Sequence, residues 1–207
     1  MKVLLINGSP RAKGCTYTAL SIVEESLKQA GIETEIFQIG VKPVRGCIEC
    51  KVCWETGRCV FQDDVLAQLY PKLEEADGFV FGSPTYFASA NGSMVSLMDR
   101  LFYTAKELWL KPAACVVSAR RGGTTAALDV LLKYPANRNM PIVSSQYWNM
   151  VHGNEPEEVL EDLEGIQTMR TLGKNMAWML KCIEAGKNAG IEKPEIEEKI
   201  KTNYIRS

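Results

Sequence analysis

Histidine is nearly missing from this chain: His152 is the single one among 207 residues. Mechanisms built on paired imidazoles or a Ser/His/Asp relay have at most that one ring, and a surface or satisfied polar role after the fifth strand suits it. An excess of charge is missing too. Lys plus Arg number 24 and Asp plus Glu 25, a net charge of -1. The basic footprint that a phosphate backbone requires is therefore lacking, and no nucleic-acid partner is expected. Long hydrophobic runs are also absent. The opening run, Val3 to Ile6, is too short for a membrane span or a signal-peptide core, and no later stretch approaches about 18 apolar residues. The expectation is a cytoplasmic protein with no membrane partner. Repeats and low-complexity segments are not found. What is present is an ordinary globular composition, 46% apolar and 24% charged, at a length that fits one domain.

Periodicity alternates between strand and helix. Lys2 to Asn7 is a short apolar run ending at Gly8, the pattern of a strand covered on both faces. Ala19, Ile22, Val23, Ser26, Leu27 and Ala30 then recur at helical spacing, with Gly31 placed as a C-cap. Glu33 to Ile39 reads as a second strand and Phe79 to Gly82 as a third. Ala113 to Ser118 reads as a fourth and Ile142 to Tyr147 as a fifth. Between the second and third strands, Asp63 and Asp64 offer N-cap chemistry to a helix that Pro71 interrupts. One long helix is expected from Met94 through Leu108, another through Leu128, Leu131 and Leu132, and a last one from Leu163 to Ile183. This order predicts a three-layer α/β/α sandwich around a five-stranded parallel sheet. Residues 1–190 form that domain, with a cysteine loop inserted at 43–62, and 191–207 form a polar tail. The apolar Phe102, Leu108 and Trp109 exceed what one sheet layer needs, which points to a homo-oligomer.

In such a sandwich a ligand sits beyond the carboxyl ends of the strands. Three of those ends are rich in glycine and hydroxyls: GSPRAKGCT after the first strand, GSPTYFASANG after the third and SARRGG after the fourth. The first gathers Gly8, Ser9, Arg11, Gly14 and Thr16 at a helix start, which makes an anion site. Its spacing is neither G-x-x-x-x-G-K-[ST] nor G-x-G-x-x-G, so one phosphomonoester fits better than a triphosphate or pyrophosphate. The plainer alternative is a polar turn in which Thr16 caps the helix. Tyr86 and Phe87 could equally be packing residues, and Arg120 and Arg121 a solvated pair.

Seven cysteines are many for a reducing compartment. Cys47, Cys50, Cys53 and Cys59 follow a C-x2-C-x2-C-x5-C spacing, which can surround a compact object with four soft ligands. A [4Fe-4S] cube asks for one thiolate per iron and matches this demand. Zinc normally takes two C-x2-C pairs set further apart, and four unligated thiols are the third possibility. Cys15, Cys115 and Cys182 read as a loop thiol and two small buried apolar residues.

GSPRAKGCT together with GSPTYF resembles the NAD(P)H-dependent FMN reductase family of flavodoxin-like proteins, over roughly residues 1–125. The resemblance implies strand order 2-1-3-4-5 and an FMN phosphate held by Ser9, Arg11, the Cys15 backbone and Thr16. It also implies a flavin ring lined by Pro84, Thr85, Tyr86 and Phe87, with Ser118, Arg120 and Gly123 on its other side. Cys15 departs from the residue usual in the family's loop. The compact cysteine motif resembles that of iron-sulfur flavoproteins, which implies a [4Fe-4S] cluster on Cys47, Cys50, Cys53 and Cys59. The activity implied is an FMN-dependent oxidoreductase with NAD(P)H or ferredoxin as electron partner. Two further readings remain. One is a cluster-free NAD(P)H:flavin or quinone reductase; the other is a non-enzymatic flavodoxin-like module with a zinc-bound cysteine loop.

Overall fold

A computed structural model describes residues 1–198, 200 and 202; part of the expected tail, residues 199, 201 and 203–207, lies outside these. The strands are β1 (Lys2–Asn7), β2 (Glu33–Gln38), β3 (Gly78–Tyr86), β4 (Ser89–Ala90), β5 (Ala113–Ala119) and β6 (Met150–His152). The helices are α1 (Cys15–Gln29), α2 (Val52–Thr56), α3 (Val65–Glu75), α4 (Gly92–Thr104), α5 (Thr124–Asn137), α6 (Pro156–Val159) and α7 (Leu163–Asn188). Five strands pair in parallel in the order β2-β1-β3-β5-β6, while β4 folds back antiparallel on the end of β3. Counting the parallel strands alone, this is the expected 2-1-3-4-5 order.

Period-two alternation feeds two apolar layers. Leu4, Ile6, Phe79 and Phe81 face α3, α4 and α5, whereas Val3, Leu5, Val80 and Val116 face α1 and α7. The fifth parallel strand is misplaced by sequence. Ile142 makes only an isolated bridge to Ala113, and the ladder on β5 is completed by Met150–His152, so His152 lies within a strand rather than after one. The expected long helix divides into α4 and a 3-10 turn at Lys106–Leu108. Thr104 bends its hydroxyl back onto the carbonyls of Arg100 and Leu101, a contact that weakens helix continuation. Cys182 is exposed, contrary to expectation, because it lies two residues past Leu180 and so off the α7 stripe of Met169, Leu172, Met176 and Leu180. Leu108 is fully buried and Phe102 packs against Phe81 and Tyr134. Much of the apolar face behind the homo-oligomer expectation is thus used inside the chain. No helix among the described residues is long and apolar enough to cross a membrane.

Candidate functional site

Side-chain amides hold the turn between β1 and α1 in shape. Asn7 Oδ1 accepts from Ser9 N at 3.1 Å, Asn7 Nδ2 donates to Gln38 Oε1 at 2.6 Å, and Gln38 Nε2 donates to Ser9 O at 2.6 Å. From the other side Asn91 Nδ2 donates to Gly8 O at 2.7 Å while Asn91 N donates to Ser83 Oγ at 2.9 Å. A Cβ on Gly8 would stand 2.7 Å from the Gly82 carbonyl, so only glycine lets the first and third loops approach this closely.

At the helix start, Gly14 is the N-cap residue and no side chain caps α1. The first-turn amides, which no helix satisfies internally, thus receive no side-chain acceptor and form the positive end of the helix dipole. Ser9 is buried, and its Oγ accepts from Arg11 N at 3.1 Å. Thr16 does not cap the helix, as the plainer reading required; its hydroxyl pairs with Ser118 Oγ at 2.8 Å, and both side chains are buried. Ser118 thus braces the first loop from below. The Arg11 guanidinium is exposed, 3.8 Å from Glu155. Cys15 turns its Sγ to the Gly153 carbonyl at 3.4 Å, and burial pushes this thiol pKa up.

Loops three and four meet at one edge of this turn. Pro84 is buried, Tyr86 is half exposed, and Phe87 lies wholly in solvent with φ 50. Ala88 follows at φ 59, and Gly123, at φ +91, presses so close that a Cβ there would lie 2.6 Å from Ala88 Cα. Thr85 Oγ1 is buried without a hydrogen-bond partner among the described residues. Arg120 and Arg121 are exposed beside this edge. The structure accordingly brings Ser9, Cys15, Thr16 and Ser118 together at the first loop and places Thr85 against Gly123.

The four clustered cysteines line one pocket with Ile48, Trp54, Phe61, Arg100, Tyr103 and Thr104. Part of the expected loop is helical: α2 carries Cys53 and ends at Gly57, whose φ of 71 reverses the chain toward Cys59. Cys47 and Cys50 are exposed, Cys53 and Cys59 half-buried. Burial pushes the Cys53 thiol up, and the neighbouring cysteines add to that. Among the described residues, no group of three or more His, Cys, Asp or Glu side chains is arranged to hold a metal ion.

Ionic contacts fasten this loop to the body. Arg45 pairs with Asp63 through 2.6 and 3.0 Å contacts, and Arg58 reaches Glu74 at 2.8 Å and Glu107 at 3.0 Å while lying over the Tyr70 ring. Tyr70 Oη in turn accepts from Cys59 N at 3.1 Å. Arg100, 1% exposed, donates to Cys59 Sγ at 3.2 Å and pairs with Asp64. Burial works to lower its pKa, but the hydrogen bonds to Asp64 and Cys59 outweigh that and hold it above the ordinary value. Sequence reading passed over Asn7, Gln38, Asn91 and Arg100. Only Arg100 left a signal, a charge three residues after Leu97 on an otherwise apolar helical stripe.

The model of the family described as NADPH-dependent FMN reductase matches residues 1–155. An iron-sulfur flavoprotein of Methanocaldococcus jannaschii is 32% identical over 193 residues, covering 89% of this chain and 100% of that relative. One from Archaeoglobus fulgidus is 31% identical over 175 residues, covering 82% and 86%. The solved structure of a flavodoxin from the domain Archaea superposes with a TM-score of 0.59 at 15% identity, covering 87% of this chain and 99% of that one, and so supports a flavodoxin-like fold. With its glycine-braced first loop and cysteine pocket, the chain belongs to the NADPH-dependent FMN reductase family, in the iron-sulfur flavoprotein subgroup, as an FMN-dependent oxidoreductase.

Proposed function

We propose that this chain moves electrons from a nicotinamide or ferredoxin donor through FMN and a [4Fe-4S] cluster. The observation that carries the FMN site is the uncapped start of α1 beside the buried Ser9 hydroxyl. Amides, hydroxyls and a helix dipole converge there with the exposed Arg11 as the cation of the loop, which is the donor set a phosphate dianion takes. Ser9, Arg11, the Cys15 amide and Thr16 would hold the phosphate, and Ser118 would keep Thr16 in place. Pro84, Thr85, Tyr86 and Phe87 would line one side of the ring, with Arg120 and Gly123 on the other. The exposed rings of Tyr86 and Phe87 leave apolar surface at which a nicotinamide could stack, as the lack of a dinucleotide fingerprint requires.

What supports a cluster is donor chemistry: four cysteines line one pocket, their side chains not drawn onto a single ion, and each iron of a cube takes one thiolate. Of the cations in or around the loop, Arg100 reaches a cysteine sulfur, donating to Cys59 Sγ at 3.2 Å, whereas Arg45 and Arg58 are paired with carboxylates. When bound, FMN takes up a hydride or an electron pair and the cluster passes single electrons. The chain itself binds, orients and shields, and needs no acid or base side chain.

Anaerobic purification, an absorption spectrum and counts of iron, sulfide and zinc test this reading. About four irons and four sulfides per chain support it. Their absence beside bound FMN returns the cluster-free reductase, and one zinc per chain without iron returns the zinc-loop module. Cys50→Ser should lose the brown absorbance and keep the yellow. A colourless protein that refuses added FMN sinks the flavin site as well.

A further inference from the structure

Cys59 is held from two sides, by Tyr70 Oη on its amide and by the Arg100 Nε–H on its sulfur. The Arg100 guanidinium is locked. Its terminal nitrogens donate to Asp64, to the Arg45 carbonyl at 3.3 Å and to the Phe61 carbonyl at 3.2 Å. Arginine has five N–H donors in a rigid fork, and the contacts named here use that number, so the group cannot swing away from the sulfur. The other cations of the loop are placed differently. Arg45 and Arg58 are spent on carboxylates and rings, and Lys51 lies over Trp54. Another hydrogen bond to a clustered sulfur comes from a backbone amide, Glu49 N to Cys47 Sγ at 3.4 Å.

We propose that Arg100 is a positioning residue that sets the reduction potential of the group held through Cys59. This rests on the cluster reading above. A buried cation donating to a thiolate sulfur stabilises the added negative charge of the reduced state, and hydrogen bonds to sulfur are one of the levers on cluster potential. Reduction adds one electron, supplied in the test by dithionite through mediators, and forms or breaks no bond.

The experiment is an EPR-monitored potential titration of the anaerobic, FMN-loaded protein and of R100Q, R100K and R58Q, with iron, sulfide and FMN counted in each. R100Q should lower the potential by at least tenfold in the one-electron equilibrium, about 59 mV. R100K keeps a charge but loses the Nε donor, and should shift the same way by less. R58Q removes a nearby cation that does not touch sulfur and should leave the potential in place. A wild-type potential in R100Q or R100K with full iron and FMN overturns the proposal. So does loss of the cluster from both with FMN kept, or failure of both to fold, since Arg100 would then be a structural support only. A wild-type protein with no iron or sulfide refutes the cluster reading itself, a result distinct from any of these.

Discussion

Ser9 is at once committed and available. Its oxygen accepts from Arg11 N, which fixes the rotamer, while its proton finds no acceptor among the described residues. A phosphate oxygen placed against α1 would take that proton in a charge-assisted bond. Ser9→Ala should therefore weaken FMN binding by about 1–3 kcal/mol, measured by fluorescence quenching of the flavin on titration with apoprotein. An unchanged dissociation constant would remove Ser9 from the phosphate site. The hydroxyls and glycines of this loop were legible because each is local to a strand end. The residues that hold the loop in shape were not. Gln38 reaches Ser9 across 29 positions of sequence, Asn7 reaches Gln38 across 31 and Asn91 reaches Gly8 across 83, and nothing in a linear pattern says that an amide will find its partner so far away.

At the scale of elements, Asp64 joins α3 to α4. Its Oδ1 accepts from Leu66 N at 3.1 Å as the N-cap of α3, and the same carboxylate faces the buried Arg100. Asp64→Ala removes a cap of about 1 kcal/mol and leaves a buried guanidinium without its counter-charge, a loss of about 3–5 kcal/mol. Asp64→Asn keeps an acceptor for Leu66 and should recover only the cap. Urea unfolding of both variants decides; equal, small losses would mean that the ion pair contributes little. At the sheet edge, Glu35 of β2 meets Lys72 of α3 at 2.5 Å and Lys2 of β1 at 3.2 Å. The hydrogen bond to Lys72 holds the Glu35 carboxyl below its usual value of 4.5, against the opposing effect of burial. Folding lowers this pKa, so the stabilisation is full above about pH 4.5 and is lost as the pH falls through the folded value. With Glu35 30% exposed, the contribution is screened to about 0.2–1 kcal/mol. Glu35→Gln should flatten that part of the acid limb of stability against pH and change little at pH 7. An identical acid limb in the variant would count against it. Elements whose residues carry a strict period were legible from sequence. The strand at Met150–His152 was not, because the apolar Ile142 and Val143 offered a stronger local signal and only register with β5 selects the later segment.

Taken whole, the molecule buries both faces of its parallel sheet, and Cys115 at the centre of β5 is completely inaccessible. Burial pushes its thiol far above the ordinary value. Alkylation there must wait for opening of the entire domain, whereas the exposed Cys182 on α7 reacts from the native state. The ratio of the two rates, read by mass spectrometry after iodoacetamide labelling, is a measure of global stability. FMN that binds only the folded chain must slow Cys115 by the same linkage that raises stability. At a hundredfold excess over its dissociation constant the protection is about 2.7 kcal/mol, or about a hundredfold in rate, with Cys182 unaffected. If Cys115 is labelled as fast as Cys182, the sheet is not the closed core described. If FMN leaves the Cys115 rate unchanged, the first, third and fourth loops do not hold it, whatever the cysteine pocket contains.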